Sequence, residues 1–456
     1  MIWNKHPYIS HVAALAAAIV VLGYSAPLSF SSDSSASSVA FVHVNVIPMD
    51  KERMLEDQTV VVEHGFITAV GTAVSIPQNA QIIDGGGKLF LSPGLADMHT
   101  HSETREDLAI YLANGVTTVL NMGGASSGFL THTRTAANEG RIPSPHVYIA
   151  FRVDGTPQYG EFIVITPDDA RSLVHFAKTN GYDFIKVYNN LSPECFDALV
   201  AEGKREHITI VGHGVTRVGL KRQLATGQVM VAHTEEFLYT VFSEKLNPDE
   251  IPAVIDFIKK DDAFVTADLN TYATIAKQWG KPDVVKSFLQ VPEVKYLDPD
   301  MRLTWKQDDY VRRQGTRDPQ LRFLTEFTKA MADAGVQLIA GTDAPPMPGL
   351  VPGFSLHDNL SLLEKAGLSR YQALSTATRV PGEFISHCVP GAKPFGTVAV
   401  GSHADLILSD DNPLDDLRTL RSPVGVMVHG NWYSRAVLQQ LRSNVAKEYA
   451  EACSFD

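Results

Sequence analysis

Cysteine is scarce: three residues in 456, Cys195, Cys388 and Cys453, too widely separated for a disulfide framework or a thiolate zinc site. Basic charge is also in deficit, with 39 Lys+Arg against 51 Asp+Glu and a net charge of −12. A nucleic-acid-binding surface usually carries a basic excess, so no nucleic-acid partner is expected. No apolar run reaches the ~20 residues of a membrane span, and a mean hydropathy of −0.04 excludes a polytopic membrane protein. The low-hydrophobicity signature of disorder is missing too, because 44% of residues are apolar and only 20% charged. The remaining class is a soluble, acidic, globular protein of enzyme size.

The first 37 residues stand apart. Lys5 precedes an apolar run, VAALAAAIVVL (12–22), and Ser-rich sequence follows to Val39. A basic start, a short apolar stretch and small residues after it fit a signal peptide with a linker, so the chain is expected to be exported, periplasmic or secreted, with no stable membrane insertion after processing. The alternative is a membrane anchor formed by residues 12–26.

Two organisations follow. Residues 38–92 are β-rich: SVAFVHVNVIPM alternates, and TVVVEHGFITAVG reads as two strands joined at His64-Gly65. Residues 93–389 alternate short apolar runs with helical stretches. Eight candidate strands occupy 95–101, 116–122, 146–151, 184–188, 208–213, 229–233, 263–269 and 336–343. Eight such units are what an α/β fold of the (β/α)8 TIM-barrel type requires. Residues 390–435 return to β and are expected to join 38–92 in a small flanking β-sandwich domain, with 436–456 a terminal helix. About 70 residues separate the last two barrel strands, far beyond ordinary loops. A helical insertion at about 270–318, acting as a lid, is expected there.

The chemistry-bearing residues sit at strand ends. His99 and His101 are two apart on the first strand, so both imidazoles can face one ion. Lys186 lies within FIKVY, where an unpaired ammonium on the inner side of a barrel would be costly. His213 ends ITIVGH, His233 ends VMVAH and Asp343 ends VQLIAGTD. Lys186 and His213 are 27 residues apart and His213 and His233 20, each close to one strand–helix unit. Four imidazoles, a carboxylate and a lysine on one barrel face make a two-metal site. Nitrogen and oxygen donors suggest zinc first, with manganese or iron as alternatives.

The segments PGLADMHTH, DFIKVY, the two histidine strands and GTDAP, with LSRYQALSTATRVPGEF, FGTVAVGSHADLILSDDNPLDDL and VMVHGNWY downstream, resemble the amidohydrolase superfamily. The resemblance spans roughly residues 40–435 and is nearest in pattern to imidazolonepropionase-like and Xaa-Pro dipeptidase-like members. It implies two divalent ions: His99, His101 and Asp343 on one, His213 and His233 on the other, and Lys186 bridging them as an N-carboxylated side chain. Two features depart from the dipeptidase-like pattern. GHGVTRVG has no tyrosine after His213, and VAHTEEF stands where IEH is common, so the resemblance leaves dipeptide specificity open. Arg152 is a candidate for a substrate carboxylate or a structural residue. His357 is a candidate for pocket lining or helix capping, and Tyr188 for substrate contact or packing.

The expected reaction is metal-assisted hydrolysis of a C–N bond in a small amide or peptide. A metal-bridging hydroxide would attack, with Asp343 as general base and then general acid. Lactone or ester hydrolysis on the same site, a dipeptidase for Xaa-Pro or N-acyl amino acid substrates, and a non-catalytic scaffold are the alternatives. If Asp343 were only a ligand, Glu235 and Glu236 would be the next candidate bases. A homo-oligomer is compatible with the sequence.

Overall fold

The computed structural model describes residues 38–452. The expected signal peptide, the alternative anchor at 12–26 and the last residues of the chain lie outside that range. Among the described residues no helix is long and apolar enough to cross a membrane, and Cys195 and Cys388 are buried free thiols.

The chain begins with β1 (Ser38–Val46), β2 (Leu55–Glu63), β3 (Phe66–Gly71), β4 (Gln81–Asp84) and β5 (Phe90–Pro93). The β2–β3 hairpin turns on His64 and Gly65, at φ 52° and 78°. Two consecutive positive φ values define the turn whose twist matches a two-residue hairpin. One edge of β1 pairs with β2; the other pairs with β4 along Val39–Val42 and then with β5 at Asn45–Val46. The register breaks between Phe41 and Val44, where His43 takes φ 51°. A bulge there bends the strand, so its two halves serve different neighbours.

The barrel follows: β6 (Leu95–Thr100), β7 (Val116–Asn121), β8 (His146–Asp154), the two-residue β9 (Phe162–Ile163), β10 (Phe184–Val187), β11 (Thr209–Gly212), β12 (Gln228–Val231), β13 (Phe264–Thr266) and β14 (Gln337–Ile339). Eight of these run parallel in the order β6-β7-β8-β10-β11-β12-β13-β14, and β9 adds to β8. The ring closes between β14 and β6. Met98 N–H donates to the Ala340 carbonyl at 3.0 Å and His101 N–H to that of Ala344 at 2.7 Å. The eight expected strands are therefore present, each ending within a few residues of its apolar run. Finally β15 (Leu406–Ser409), β16 (Gly425–Val428) and β17 (Asn431–Ser434) join β5 to complete the eight-stranded mixed sheet of the flanking domain.

Helices cover the barrel for ordinary reasons. In Pro167–Thr179, Thr166 and Asp169 form a capping box, Pro167 opens the first turn, and Ala170, Val174 and Ala177 line the buried stripe at helical spacing. Inside the barrel, Ala96, Met98, Leu120, Met122, Ala150, Phe184, Val211, Met230, Phe264 and Ile339 form an apolar plug. Phe384, from the helix Arg379–Cys388, closes its lower end by packing on Phe184 at 5.3 Å and Phe264 at 5.1 Å. Emptying one such aromatic position would cost about 3–5 kcal/mol. With the lower barrel filled by apolar side chains, the next inward positions along the strands are left to polar ones: Phe184 gives way to Lys186, Ala150 to Arg152, Val211 to His213.

Between β13 and β14 lie the helices Leu269–Gln278, Pro282–Phe288, Pro299–Trp305 and Asp318–Asp333. Trp305 is fully buried, and its Nε1 donates at 2.8 Å to the carbonyl of Pro345, two residues past Asp343. This segment is thereby fastened to the loop that carries Asp343.

Candidate active site

His99, His101, Lys186, His213, His233 and Asp343 meet at the C-terminal ends of the barrel strands. Lys186 is fully buried, with Nζ 3.0 Å from His99 Nε2. Asp343 Oδ1 lies 3.3 Å from His99 Nε2 and 3.1 Å from His101 Nε2. The rings of His99 and His233 are 4.3 Å apart, and those of His213 and His233 5.0 Å. One ligand atom each from His99, His233 and Asp343 lies within 4.8 Å of the others.

Strand alternation alone does not deliver this geometry. Met98 belongs to the plug, so a regular strand would turn His99 outward; the β6 register shifts between Asp97 and Thr100 and brings His99 in. Gly341 makes room, since a Cβ there would stand 2.7 Å from the Cβ of His99. Gly212, at φ 129°, likewise allows β10 to approach, because a Cβ would meet the Val187 carbonyl at 2.4 Å. Asp343 is in the left-handed region, φ 58°. A residue without glycine's freedom pays strain of order 1–3 kcal/mol there. The conformation is held by its N–H donating to the His99 carbonyl at 2.8 Å, and by Thr342, whose hydroxyl donates to Asp97 Oδ2 at 2.7 Å.

Every imidazole is oriented from behind. Nδ1 of His99 faces the Ala232 carbonyl at 3.1 Å, and Nδ1 of His101 that of Gly123 at 2.6 Å. Nδ1 of His213 faces Glu236 Oε1 at 2.6 Å, and Nδ1 of His233 bonds Asp268. With an acceptor on each Nδ1 the proton resides there, leaving the Nε2 lone pair as the donor toward the centre. Nε2 of His213 is buried without a hydrogen-bond partner among the described residues. An orphaned imidazole nitrogen beside other such nitrogens and a carboxylate is the donor set of a divalent transition metal, and the residues fit that group.

Electrostatics agree. Burial pushes the Lys186 ammonium down to about 7, with Asp343 acting the other way. Burial also takes His213 down to about 4 in spite of Glu236. Desolvation opposes ionisation of the half-buried Asp343 carboxyl, yet the facing imidazoles, His101 first, hold it well below the usual carboxylate range. Burial raises the Glu235 carboxyl to about 8, disfavouring its charged form.

The expected substrate contacts divide. Arg152 is the register partner of Lys186 on β8 and pairs with Glu161 at 3.4 Å. Tyr188 stacks on the His213 ring at 3.9 Å, with Tyr159 beyond it at 5.0 Å. Both border the centre. His357 does not: it is buried in the helix Phe354–Lys365 with Nε2 on the Asn114 carbonyl at 2.8 Å, at the end of the helix Arg105–Ala113. A ring nitrogen engaged in the helical layer lines no pocket at the barrel mouth. Glu236 acts as the carboxylate that holds His213. Asp268, which sequence reading passed over, holds His233; its one signal was a carboxylate ending the seventh strand.

No family model matches the chain, and no curated protein matches it by sequence. Solved structures do. A bottromycin amidohydrolase superposes with a TM-score of 0.72 at 23% identity, covering 91% of each chain. A putative prolidase from Bifidobacterium longum gives 0.65 at 22% identity, over 90% of this chain and 99% of that one. A Xaa-Pro dipeptidase with bound methionine gives 0.62 at 17% identity, over 87% and 100%. The chain has the fold of these amidohydrolases over nearly its whole described length.

Proposed function

We propose that this protein is a divalent-metal-dependent hydrolase that cleaves a C–N bond in a small amide, dipeptide or N-acyl amino acid. The observation that carries the reading is the set of four imidazoles, each with Nδ1 held by an acceptor, with Nε2 of His99 and His101 turned toward Asp343 and that of His213 left without a partner among the described residues. His99, His101 and Asp343 would hold one ion and His213 and His233 another, zinc by donor type. Bound there, the ions would polarise the scissile carbonyl and acidify the attacking water.

Lys186 suits this role as a carbamate. Its amine, neutral in part near pH 7 because it is buried, forms an N–C bond to carbon dioxide and releases one proton to solvent. The product is an anion with two oxygens, which exchanges repulsion of a cation for attraction. Asp343 accepts the proton of the attacking water and passes it to the departing nitrogen, since an amide nitrogen leaves poorly unless protonated. Arg152 would meet a substrate carboxylate by sharing its pairing with Glu161, and the Tyr188–Tyr159 stack would form an apolar wall. The names of the similar structures (amidohydrolase, prolidase, dipeptidase) support C–N over C–O cleavage. Export through the first 37 residues completes the reading, with cleavage ahead of Ser38, which already pairs with Glu63 in β1.

The test is a hydrolysis screen of the zinc-loaded protein against dipeptides, including Xaa-Pro, N-acyl amino acids and lactones. Amide cleavage that chelation abolishes and zinc restores is the expected result. Turnover of lactones with no amide cleaved would replace this reading with C–O hydrolysis.

A further inference from the structure

A second cluster of donors lies at the opposite end of the barrel. His146 is the first residue of β8, whereas the site above lies at the strands' other ends. Against it pack His403 and Asp405, just ahead of β15, and His429 in the turn between β16 and β17. His146 Nε2 is 3.2 Å from Asp405 Oδ1. One ligand atom each from His146, His403 and Asp405 falls within 4.8 Å of the others. The His429 ring is 3.9 Å from that of His146, and the His403 ring 5.0 Å.

Hydrogen bonding leaves this cluster unfinished. The Asp405 side chain is 3% exposed, and its Oδ2 has no hydrogen-bond partner among the described residues. His429 Nε2 is likewise buried and without one, while its ring bonds the Pro145 carbonyl. A buried carboxylate oxygen left unpaired beside an imidazole lone pair is costly, because both are acceptors and neither supplies a proton to the other. A cation supplies what is missing.

We infer that His146, His403, Asp405 and His429 form a structural zinc site, distinct from the barrel-mouth centre. His146, His403 and Asp405 bring one ligand atom each within 4.8 Å of the others, and His429, ring to ring with His146, offers the fourth donor that a closed, structural rather than catalytic, zinc site takes. The ligands come from a barrel strand and from two loops of the flanking sheet, so a bound ion would clamp the flanking domain to the barrel floor. Phe66, stacked on the His403 ring at 4.7 Å, covers that ligand.

The test compares full-length wild type with a His403→Gln, His429→Gln variant, each zinc-loaded and freed of loose metal by gel filtration. The variant should contain about one zinc per chain fewer, and its melting temperature should lose a zinc-dependent rise of about 3 °C. Its turnover should stay within about threefold of wild type, since neither residue touches the reacting atoms. A second measurement separates this site from the proposed catalytic centre. A His99→Ala, His213→Ala variant should keep about one zinc per chain, and cobalt in its place should give the visible absorption of a tetrahedral ion. Equal zinc content in wild type and the His403→Gln, His429→Gln variant would overturn the site whatever the barrel mouth binds.

Discussion

The carboxylate of Glu236 lies 2.6 Å from His213 Nδ1 and also accepts the Gly214 N–H at 2.8 Å, so it is fixed by the loop that it orients. That pairing sets the His213 tautomer and aims Nε2 inward. Glu236 is a positioning residue in this reading, although it stands only three residues after His233. Glu236→Gln keeps the shape but supplies an amide that can donate as well as accept, so the tautomer is no longer imposed. Zinc affinity should fall about 10–100-fold with the fold retained. Competition with a chelator of known affinity measures this, and unchanged affinity would remove Glu236 from the metal's support.

Lys186→Ala removes the proposed bridge and leaves a small void above the plug. Bound zinc should drop below two per chain and most activity should go, with partial rescue by short carboxylic acids supplied together with metal. Wild-type protein given isotopically enriched bicarbonate should show a labelled carbamate carbon by NMR, and the variant none. A Lys186→Ala protein that keeps two tight ions and ordinary rates would exclude the bridge.

The barrel strands were legible because strands buried on both faces read as short continuous apolar runs. The convergence of His99, His101, Lys186, His213, His233 and Asp343 was legible because parallel barrel strands put their C-terminal residues on one face. What escaped were relations across the fold. Asp268 and Glu236 reach their histidines over 35 and 23 residues of sequence, and the acceptors for His99 and His101 are backbone carbonyls, which no side-chain pattern reveals. His357 stayed open between pocket lining and helix capping for a related reason, and its place on the Asn114 carbonyl at a helix end is the capping one. It follows the Asp343 loop closely in sequence, but the chain has entered a helix by then, and helical periodicity turns the ring toward Asn114. The β6 irregularity that brings in His99 is likewise set by closure against β14 rather than by local sequence.

Away from the proposed metal centre, Asp107 should make stability depend on pH. It is buried in the first turn of the helix Arg105–Ala113, with Oδ1 unpartnered among the described residues, and burial raises it from 3.8 to about 7. Between those values the folded chain holds a proton that the unfolded chain has released. This contribution to stability is therefore greatest below pH 3.8 and declines as pH rises toward about 7. Asp107→Asn cannot ionise, so it should melt higher than wild type at pH 8, by an amount of at most about 4 kcal/mol. The difference should shrink at pH 5. Melting curves of both proteins at the two pH values check the sign, and a gap that widens on acidification would refute it.

Asp343 carries the sharpest prediction. The left-handed backbone at this position and the two N–H donors converging on the His99 carbonyl place the carboxylate within 3.3 Å of two imidazole nitrogens. Asp343→Asn preserves the shape and one ligating oxygen, and asparagine tolerates positive φ as well as aspartate does. The fold should persist and zinc should fall only in part. Turnover should drop by about 10²–10⁴, the worth of a positioned acid–base group. The loss should appear in kcat as well as in kcat/KM, because the proton transfers belong to the transition state rather than to substrate binding. Wild-type rates should also fall on the acid side as the coupled site takes up a proton, a step that belongs to the assembly and not to one residue. A folded, metal-loaded Asp343→Asn protein working within about tenfold of wild type would leave Asp343 a ligand only. Glu235 would then be the next residue to test, and burial raises its carboxyl to about 8. As the base it would shift the acid limb of the rate profile upward, so the pH profile of the variant tells the two apart.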